Sequence, residues 1–467
     1  MRLRIVVLMA ICMACFKGMG QEQYSNKGAA PPILMLRAEE DYRFLKDNDS
    51  LDFFLKELKF IPLNRKKTTV LTLGGGFRPR VEHFTNENYT TEDNTYYSQR
   101  LDVHASLRIG TRVRVFAELY HGLTSDGRVP LESDELDVHQ AFVDVGLWEK
   151  GTGSAKVRIG RQEIGYGSSR LVGIREGPNM RRSFDMARLM VIHKKSSLDL
   201  LYGKEVSITP SAFDNTSSIF NANGGSPTLW GIYYRRPFLK DIGKIDLYYL
   251  GFHSNASAVN DVAGEELRHA VGIRSFGSKS RLSYNTELIF QVGEIDESEI
   301  FAFNFETDWK FMLISSGWKP TIGLRLDWSS GDRENGDGRI ETFNPMFVNP
   351  AIYSLAAVNT PANLTSLHPN VTIYPAKGLS IYVDYALFYR TQTADGYYLP
   401  PRFIARPGTG GTSRHLGDAL GFQLTYELNR NQSFDVRCSY FIAGEFIEET
   451  GSSENTFYVA PTMSVKF

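Results

Sequence analysis

A chain of 467 residues with 52 Lys and Arg against 53 Asp and Glu carries a formal net charge of −1. Its pI near 6.8 leaves no domain-wide basic excess to neutralise a nucleic-acid backbone, which argues against that class of partner. The 30 Phe, 23 Tyr and 41 Gly favour strands, tight turns and interfacial aromatics over helices, and 42% hydrophobic content suits either a large core or a lipid-facing wall.

Residues 1–20 combine Arg2 and Arg4, an apolar run from Ile5 to Phe16, and small residues at Gly18 and Gly20, the layout of an export signal cut after Gly20. Cys12 and Cys15 lie inside it, so the exported chain would keep Cys438 as its one cysteine, with no intramolecular disulfide. Beyond residue 20 no apolar run reaches the roughly eighteen residues of a spanning helix. A membrane-embedded form would therefore be a closed barrel, which leaves no backbone edge unpaired.

Residues 21–66 precede the first strand. Within them Tyr42–Leu58 (YRFLKDNDSLDFFLKEL) spaces Phe44, Leu45, Leu51, Phe54, Leu55 and Leu58 as short helices broken at Asn48–Ser50, either plugging a barrel mouth or packing as an arm. The barrel itself is expected over residues 67–467.

From Thr69 the period changes to two. Leu101, Val103, Ala105, Leu107 and Ile109 alternate with Arg100, Asp102, His104, Ser106 and Arg108, and Val113, Val115, Ala117 and Leu119 alternate with Arg112, Arg114 and Glu118. The same scheme returns around Leu288, Leu324, Val383 and Val436, so each segment has one apolar and one polar face. Roughly eighteen such segments of about nine to thirteen residues approach the length of a tilted membrane-barrel strand, and soluble sandwiches use fewer and shorter ones. The sequence thus predicts an all-β, antiparallel transmembrane barrel of about eighteen strands with a short N-terminal helical segment.

Between Arg158 and Arg188 seven arginines face three acids, Glu163, Glu176 and Asp185, a local balance of 7 − 3 = +4. Guanidinium forks bind carboxylates and phosphates through paired donors, which points to an anion-handling surface. Residues Arg170 to Arg182, with Gly173, Gly177 and Pro178, read as a loop whose arginines either line a mouth or fasten the loop to the wall. A longer aperiodic connection runs from Ser329 to Pro369. Its Asp332, Glu334 and Asp337 are conceivable calcium ligands, but their spacing departs from an EF-hand loop and solvated turn residues are the simpler reading. The last segment alternates Phe457, Val459, Met463, Val465 and Phe467 with polar residues, similar to the aromatic-ended strand of outer-membrane barrels.

These blocks, in order, resemble the alginate export family of outer-membrane porins. The residues that carry the likeness are RAEED (Arg37–Asp41), KFIPL (Lys59–Leu63), Arg100–Glu118, QAFVD (Gln140–Asp144), GRQEIGYGSSRLVGIREGPNMRRSFD from Gly160, SGDRENGDGRIETFNPMF from Ser330, NLTSLHP (Asn363–Pro369), DYALFYR, DGYYLP and FIAGEFIEETG. The resemblance implies a monomeric eighteen-stranded barrel in a Gram-negative outer membrane, a periplasmic N-terminal segment, an arginine-lined lumen passing an acidic polysaccharide such as alginate, and periplasmic secretion partners. An uptake porin for anionic saccharides would need the same arginines.

Charge on a lipid face at mid-depth costs about 2 to 4 kcal/mol, so the repeated arginines are expected inside. Parity turns Arg80, Arg100, Arg108, Arg112, Arg114, Arg158, Arg188, Arg325, Arg390 and Arg437 inward, with Glu82, Asp102, Glu118, Asp144, Glu287, Asp327, Asp384 and Asp435 as paired acids. Strict counting places Arg161 and Glu163 outward, and a bulge at Gly160, or a strand ending there, would bring them in. Arg161 and Arg182 complete the expected anion-binding set, with Glu163 and Asp185 as further paired acids. An enzyme is the competing class, with Asp102, His104 and Ser106 sharing one strand face, but the order provides no evident oxyanion hole and ordinary lumen residues account for it.

Overall fold

The computed structural model describes residues 31–47, 51–125, 131–219, 225–238 and 242–467. The export signal and the Asn48–Ser50 break lie outside them. Twenty strands form one sheet, of which two are two-residue pairings (Ile61–Pro62 and Arg339–Ile340), leaving eighteen that close the wall. In chain order these are β1 (Thr69–Thr85), β2 (Asn94–Ile109), β3 (Val113–Ser125), β4 (Asp134–Lys150), β5 (Gly153–Gln162), β6 (Phe184–His193), β7 (Ser196–Glu205), β8 (Thr228–Phe238) and β9 (Gly243–Val259). They continue as β10 (Val262–Lys279), β11 (Leu282–Ile295), β12 (Ser298–Met312), β13 (Thr321–Ser329), β14 (Leu364–Ala376), β15 (Leu379–Arg390), β16 (His415–Glu427), β17 (Gln432–Ala443) and β18 (Thr456–Lys466).

Each strand pairs antiparallel with its sequence neighbours, and β18 returns to β1 through Gly76–Lys466, Phe77–Val465 and Arg80–Thr462. Closure matters because an open edge would leave unpaired N–H and C=O groups in lipid. The strands run from 9 residues in β13 to 18 in β10, longer than alternation alone suggested. No helix among the described residues is long and apolar enough to cross a membrane.

The two mouths differ. At one, tight turns such as 151–152, 194–195, 280–281 and 377–378 join the strands, and Gly378 at φ +75° permits the last of them. At the other lie 163–183, 206–219, 330–363, 391–414 and 444–455, the last carrying a short α-helix, Glu445–Thr450. The long connection thus ends at Asn363 rather than Pro369. Pro369 sits inside β14 opposite Leu324, and the ladder to β15 skips it because proline has no N–H to give.

The outward face is apolar, with Leu101, Val103, Val143, Val271, Phe290, Leu324 and Leu420 all exposed. Trp148, Trp309 and Trp318 stand toward the tight-turn mouth and Trp328, Tyr389 and Tyr440 toward the other, as interfacial girdles require. Val271, 59% exposed, lies opposite Phe290 across β10 and β11. Val271→Arg is expected to lower unfolding stability in lipid vesicles by about 2 to 4 kcal/mol, read by denaturant titration. An unchanged midpoint would contradict a lipid-facing Val271.

Candidate functional site

The lumen is partly filled by two long connections that meet inside it. Val172 and Phe347 pair as a parallel bridge, with Gly173 N donating to Phe347 O and Phe347 N to Leu171 O, each 2.8 Å. Both segments press on an apolar stretch of the inner wall that includes Phe184, Met186, Leu229, Leu250, Phe252 and Ile289. Parity reading missed this seat. Its signal was present in runs such as Leu288-Ile289-Phe290, where apolar residues occupy both faces and so imply cover on both sides.

Much of the arginine set fastens these loops. Arg78 donates to the carbonyls of Gly177 (3.1 Å) and Pro178 (2.9 Å), Arg80 bonds Gly177 O and pairs with Glu132 (3.2 Å) and Glu82, and Arg100 pairs with Glu176 at 2.6 Å. From the loop side, Arg170 pairs with Glu306 and Asp327 over the Tyr353 ring. Arg182 pairs with Glu205 at 2.8 Å and donates to Phe347 O. Arg390, expected to line the lumen, is fully enclosed: it donates to the carbonyls of Thr393, Asp395 (both 3.0 Å), Gly411 (3.1 Å) and Ser413, over Phe446. Carbonyl oxygens in an enclosed turn need donors, and a five-donor fork supplies them from one side chain.

Arg161 and Asp185 are placed differently from the inward expectation. β5 keeps its register with β4 through Gly160–Phe142 and Arg161–Ala141, with no bulge at Gly160, so Arg161 stays on the face of outward Ile159. There it pairs with Asp185 at 2.9 Å. The 206–219 connection folds over this pair from outside, Ser217 Oγ donating to Asp185 at 2.8 Å and Tyr202, Phe213 and Ile219 walling the pocket. Glu163, past the end of the strand, does turn inward and takes His139 (2.8 Å) and Arg181 (2.9 Å). Arg112 also differs, lying exposed in the turn before β3.

Of the remaining inward arginines, Arg114 and Arg158 are buried, and Arg108, Arg188, Arg325 and Arg437 are partly open. Arg108 lines a cavity at the tight-turn mouth with Arg43, Lys46 and Arg114, Arg325 bonds only Ile352 O among the described hydrogen bonds, and Arg188 pairs with Asp199. In four inward pairs the cation is more exposed than its acid. Arg235 is 37% open against 0% for Asp246 and Lys310 39% against 21% for Asp308, with Lys156–Asp144 and Arg437–Asp435 following the same order. A long basic stem carries its head toward water while a short carboxylate stays at the wall.

The N-terminal segment enters the tight-turn half. Its short 3-10 turns, Arg37–Glu39, Arg43–Lys46 and Lys56–Lys59, flank the expected break. Ala38 packs against inward Phe116 and Phe142, Arg37 bonds Gly75 O (3.1 Å) and Phe467 O, and Arg181 reaches Met35 O at 3.0 Å.

Buried acids and histidines converge at Asp102, His104 and Glu118 and again at Glu118, His139 and Glu163, close enough for a metal. Their carboxylates already have protein partners, Arg181 on Glu163 and Gln140 donating to Glu118 at 2.6 Å. Asp102 fits against Gly76, where a Cβ would meet its carboxylate at 2.6 Å, and Asp384 sits beside His368 at 3.3 Å. Ser106 Oγ accepts from Arg114 Nε at 2.7 Å instead of pairing with His104. In the 330–363 connection Asp332 accepts from Asn260 at 3.0 Å, and burial pushes its carboxyl up to about 6. Asp332, Glu334 and Asp337 are not among the described residues that converge as metal ligands.

Arg170 tests the fastening role. Arg170→Ala would leave Glu306 and Asp327 buried without their cation, at a cost of about 3 to 5 kcal/mol. Limited proteolysis of the refolded barrel should then cut within residues 163–183 under conditions that leave the parent intact.

A sequence profile described as alginate export matches residues 69–460. No curated protein sequence matches the chain. Among solved structures, the Pseudomonas aeruginosa barrel OpdO is similar at TM-score 0.56 and 13% identity, over 85% of this chain and 97% of that one. OccK8 (OprE) of the same organism gives 0.55 and 13%, over 85% and 98%, and OccK2 (OpdF), solved in complex with glucuronate, 0.54 and 11%, also over 85% and 98%. At such identities the likeness concerns the fold. The profile covers nearly the whole barrel, and with the closed eighteen-stranded wall it makes this chain a porin of the Gram-negative outer membrane that belongs to the alginate export family.

Proposed function

We propose that the barrel gives passive, anion-selective passage to an acidic polysaccharide such as alginate. The observation that carries this reading is the exposure order of four inward pairs, Arg235–Asp246, Lys310–Asp308, Lys156–Asp144 and Arg437–Asp435, in which the cation meets the lumen and the acid lies behind it. Near-neutral composition does not oppose it, because a solute feels the nearer charge of each pair most strongly. Successive uronate carboxylates would meet several partly neutralised cations, each site weak enough to release its ligand, as conduction requires. Tight turns face the periplasm and long connections the exterior, the usual arrangement of outer-membrane barrels. Arg161 and Asp185, on the outer face, take no part, and Arg80, Arg100, Arg182 and Arg390 serve by holding the loops that shape the path.

Uptake of small anionic sugars is the second reading, favoured by the inward loops that narrow the lumen and by the glucuronate held in one barrel of the same fold.

Single-channel recording in planar bilayers tests the proposal. The refolded protein should be anion-selective and blocked by oligouronates in a concentration-dependent manner, with block deepening as the oligomer lengthens. Exclusion of longer oligomers with block by monouronate alone would favour uptake. Neutralising Arg235, Lys310 and Arg437 together to Gln should reduce the anion-to-cation permeability ratio at least about threefold, given at least about 0.2 kcal/mol for each exposed charge interaction. A cation-selective pore indifferent to uronates would overturn the proposal.

A further inference from the structure

One group of lumen cations is already holding a carboxylate supplied by the chain itself. Arg158 forms a fork with Asp144, Nε at 2.6 Å and Nη2 at 3.0 Å, and turns its remaining nitrogen, Nη1, to Glu39 at 2.8 Å. Lys156 lies 3.4 Å from Asp144 and 3.9 Å from the second oxygen of Glu39. Arg114 approaches Asp144 at 3.6 Å and donates to Ala38 O at 2.6 Å, next to Glu39. Three cations therefore share one fixed wall acid, which leaves a charge of +2 that Glu39 reduces to +1.

The two acids differ in kind. Asp144 belongs to β4 and is part of the wall, with 7% of its side chain exposed. Glu39 belongs to a three-residue turn with no strand register, and 40% of its side chain is open to the lumen. Burial pushes the Glu39 carboxyl up, but Arg158, Lys156, Arg188 and Arg114 outweigh it and hold the carboxyl down at about 2, so it is an anion at any physiological pH. The segment does not depend on Glu39 for its place: Arg37 binds Gly75 O and pairs with Glu40 at 2.9 Å, and Ala38 is packed against Phe116 and Phe142. Glu39 can leave by rotating its own side chain.

We propose that Arg114, Lys156 and Arg158 form a binding site for one carboxylate of the acidic sugar, and that Glu39 is a tethered stand-in which an arriving uronate replaces. The inference rests on the anion-passage reading and deepens it by naming one site and its resting occupant. Replacement exchanges one carboxylate for another on the same donors, so the cations are never left without an anion between passages. A site occupied by its own chain nine-tenths of the time shows an affinity about tenfold weaker than its intrinsic one.

The test compares block of single-channel current by a uronate trimer in the full-length protein, in Glu39→Gln and in Glu39→Asp, with a neutral trisaccharide as control. Glu39→Gln keeps the shape and removes the competing charge, and it should lower the half-blocking uronate concentration about tenfold without affecting the neutral sugar. Glu39→Asp keeps the charge and should restore a midpoint near the parent value, which a purely structural role for Glu39 would not require. Arg158→Gln should raise the midpoint whichever residue stands at 39. An anion-selective parent whose midpoint does not move in Glu39→Gln overturns this inference and leaves the functional proposal standing. A parent insensitive to uronates overturns both.

Discussion

A closed wall in lipid has one place to put charge, and that is its inside. Backbone groups are satisfied by the ring of ladders from β1 round to β18, and side chains then divide by parity into an apolar skin and a polar interior. Arginine inside such a space still has to be paired or solvated, because an isolated buried guanidinium is too costly to keep. That requirement explains why nearly every inward cation here has a carboxylate or a cluster of carbonyls beside it.

The requirement is met in two ways, and they produce different functions. Toward the long-connection mouth, Arg78, Arg80, Arg100, Arg170, Arg182 and Arg390 spend their donors on loop backbone and buried acids, so the 163–183 and 330–363 segments are held within the lumen. In the other half, Lys156, Arg235, Lys310 and Arg437 pair with an acid that lies deeper than they do, and keep a solvated head. The first group holds the loops that narrow the lumen, and in the proposed reading the second gives the path its sign. Glu39 belongs to neither wall group, since it is carried in by the N-terminal segment and meets the cations from the solvent side.

Strand alternation, a local property, made the barrel legible in the sequence, and the inward direction of Arg108, Arg114, Arg158, Arg188, Arg325 and Arg437 followed from it. What alternation could not convey was partnership across the lumen. Arg390 and Arg437 have the same parity, yet one is sealed beneath the 391–414 connection and the other is open, a difference set by loops distant in sequence. Arg161 looked misplaced by counting. It was simply outward, because Gly160 adopts φ +127° without leaving the ladder and the 206–219 connection shelters the ion pair outside. Pro369 read as a loop residue because proline usually ends a strand, and here β14 absorbs it by omitting a pairing.

The central claim is that the lumen prefers negative solutes because Lys156, Arg235, Lys310 and Arg437 stand in front of their acids. Flux into protein-bearing vesicles of a diuronate and of a neutral disaccharide of equal size measures that preference directly, at low and at high salt. The account predicts faster entry of the diuronate at low salt and an advantage that shrinks as salt shortens the screening length. Equal entry at both ionic strengths, or faster entry of the neutral sugar, would contradict it.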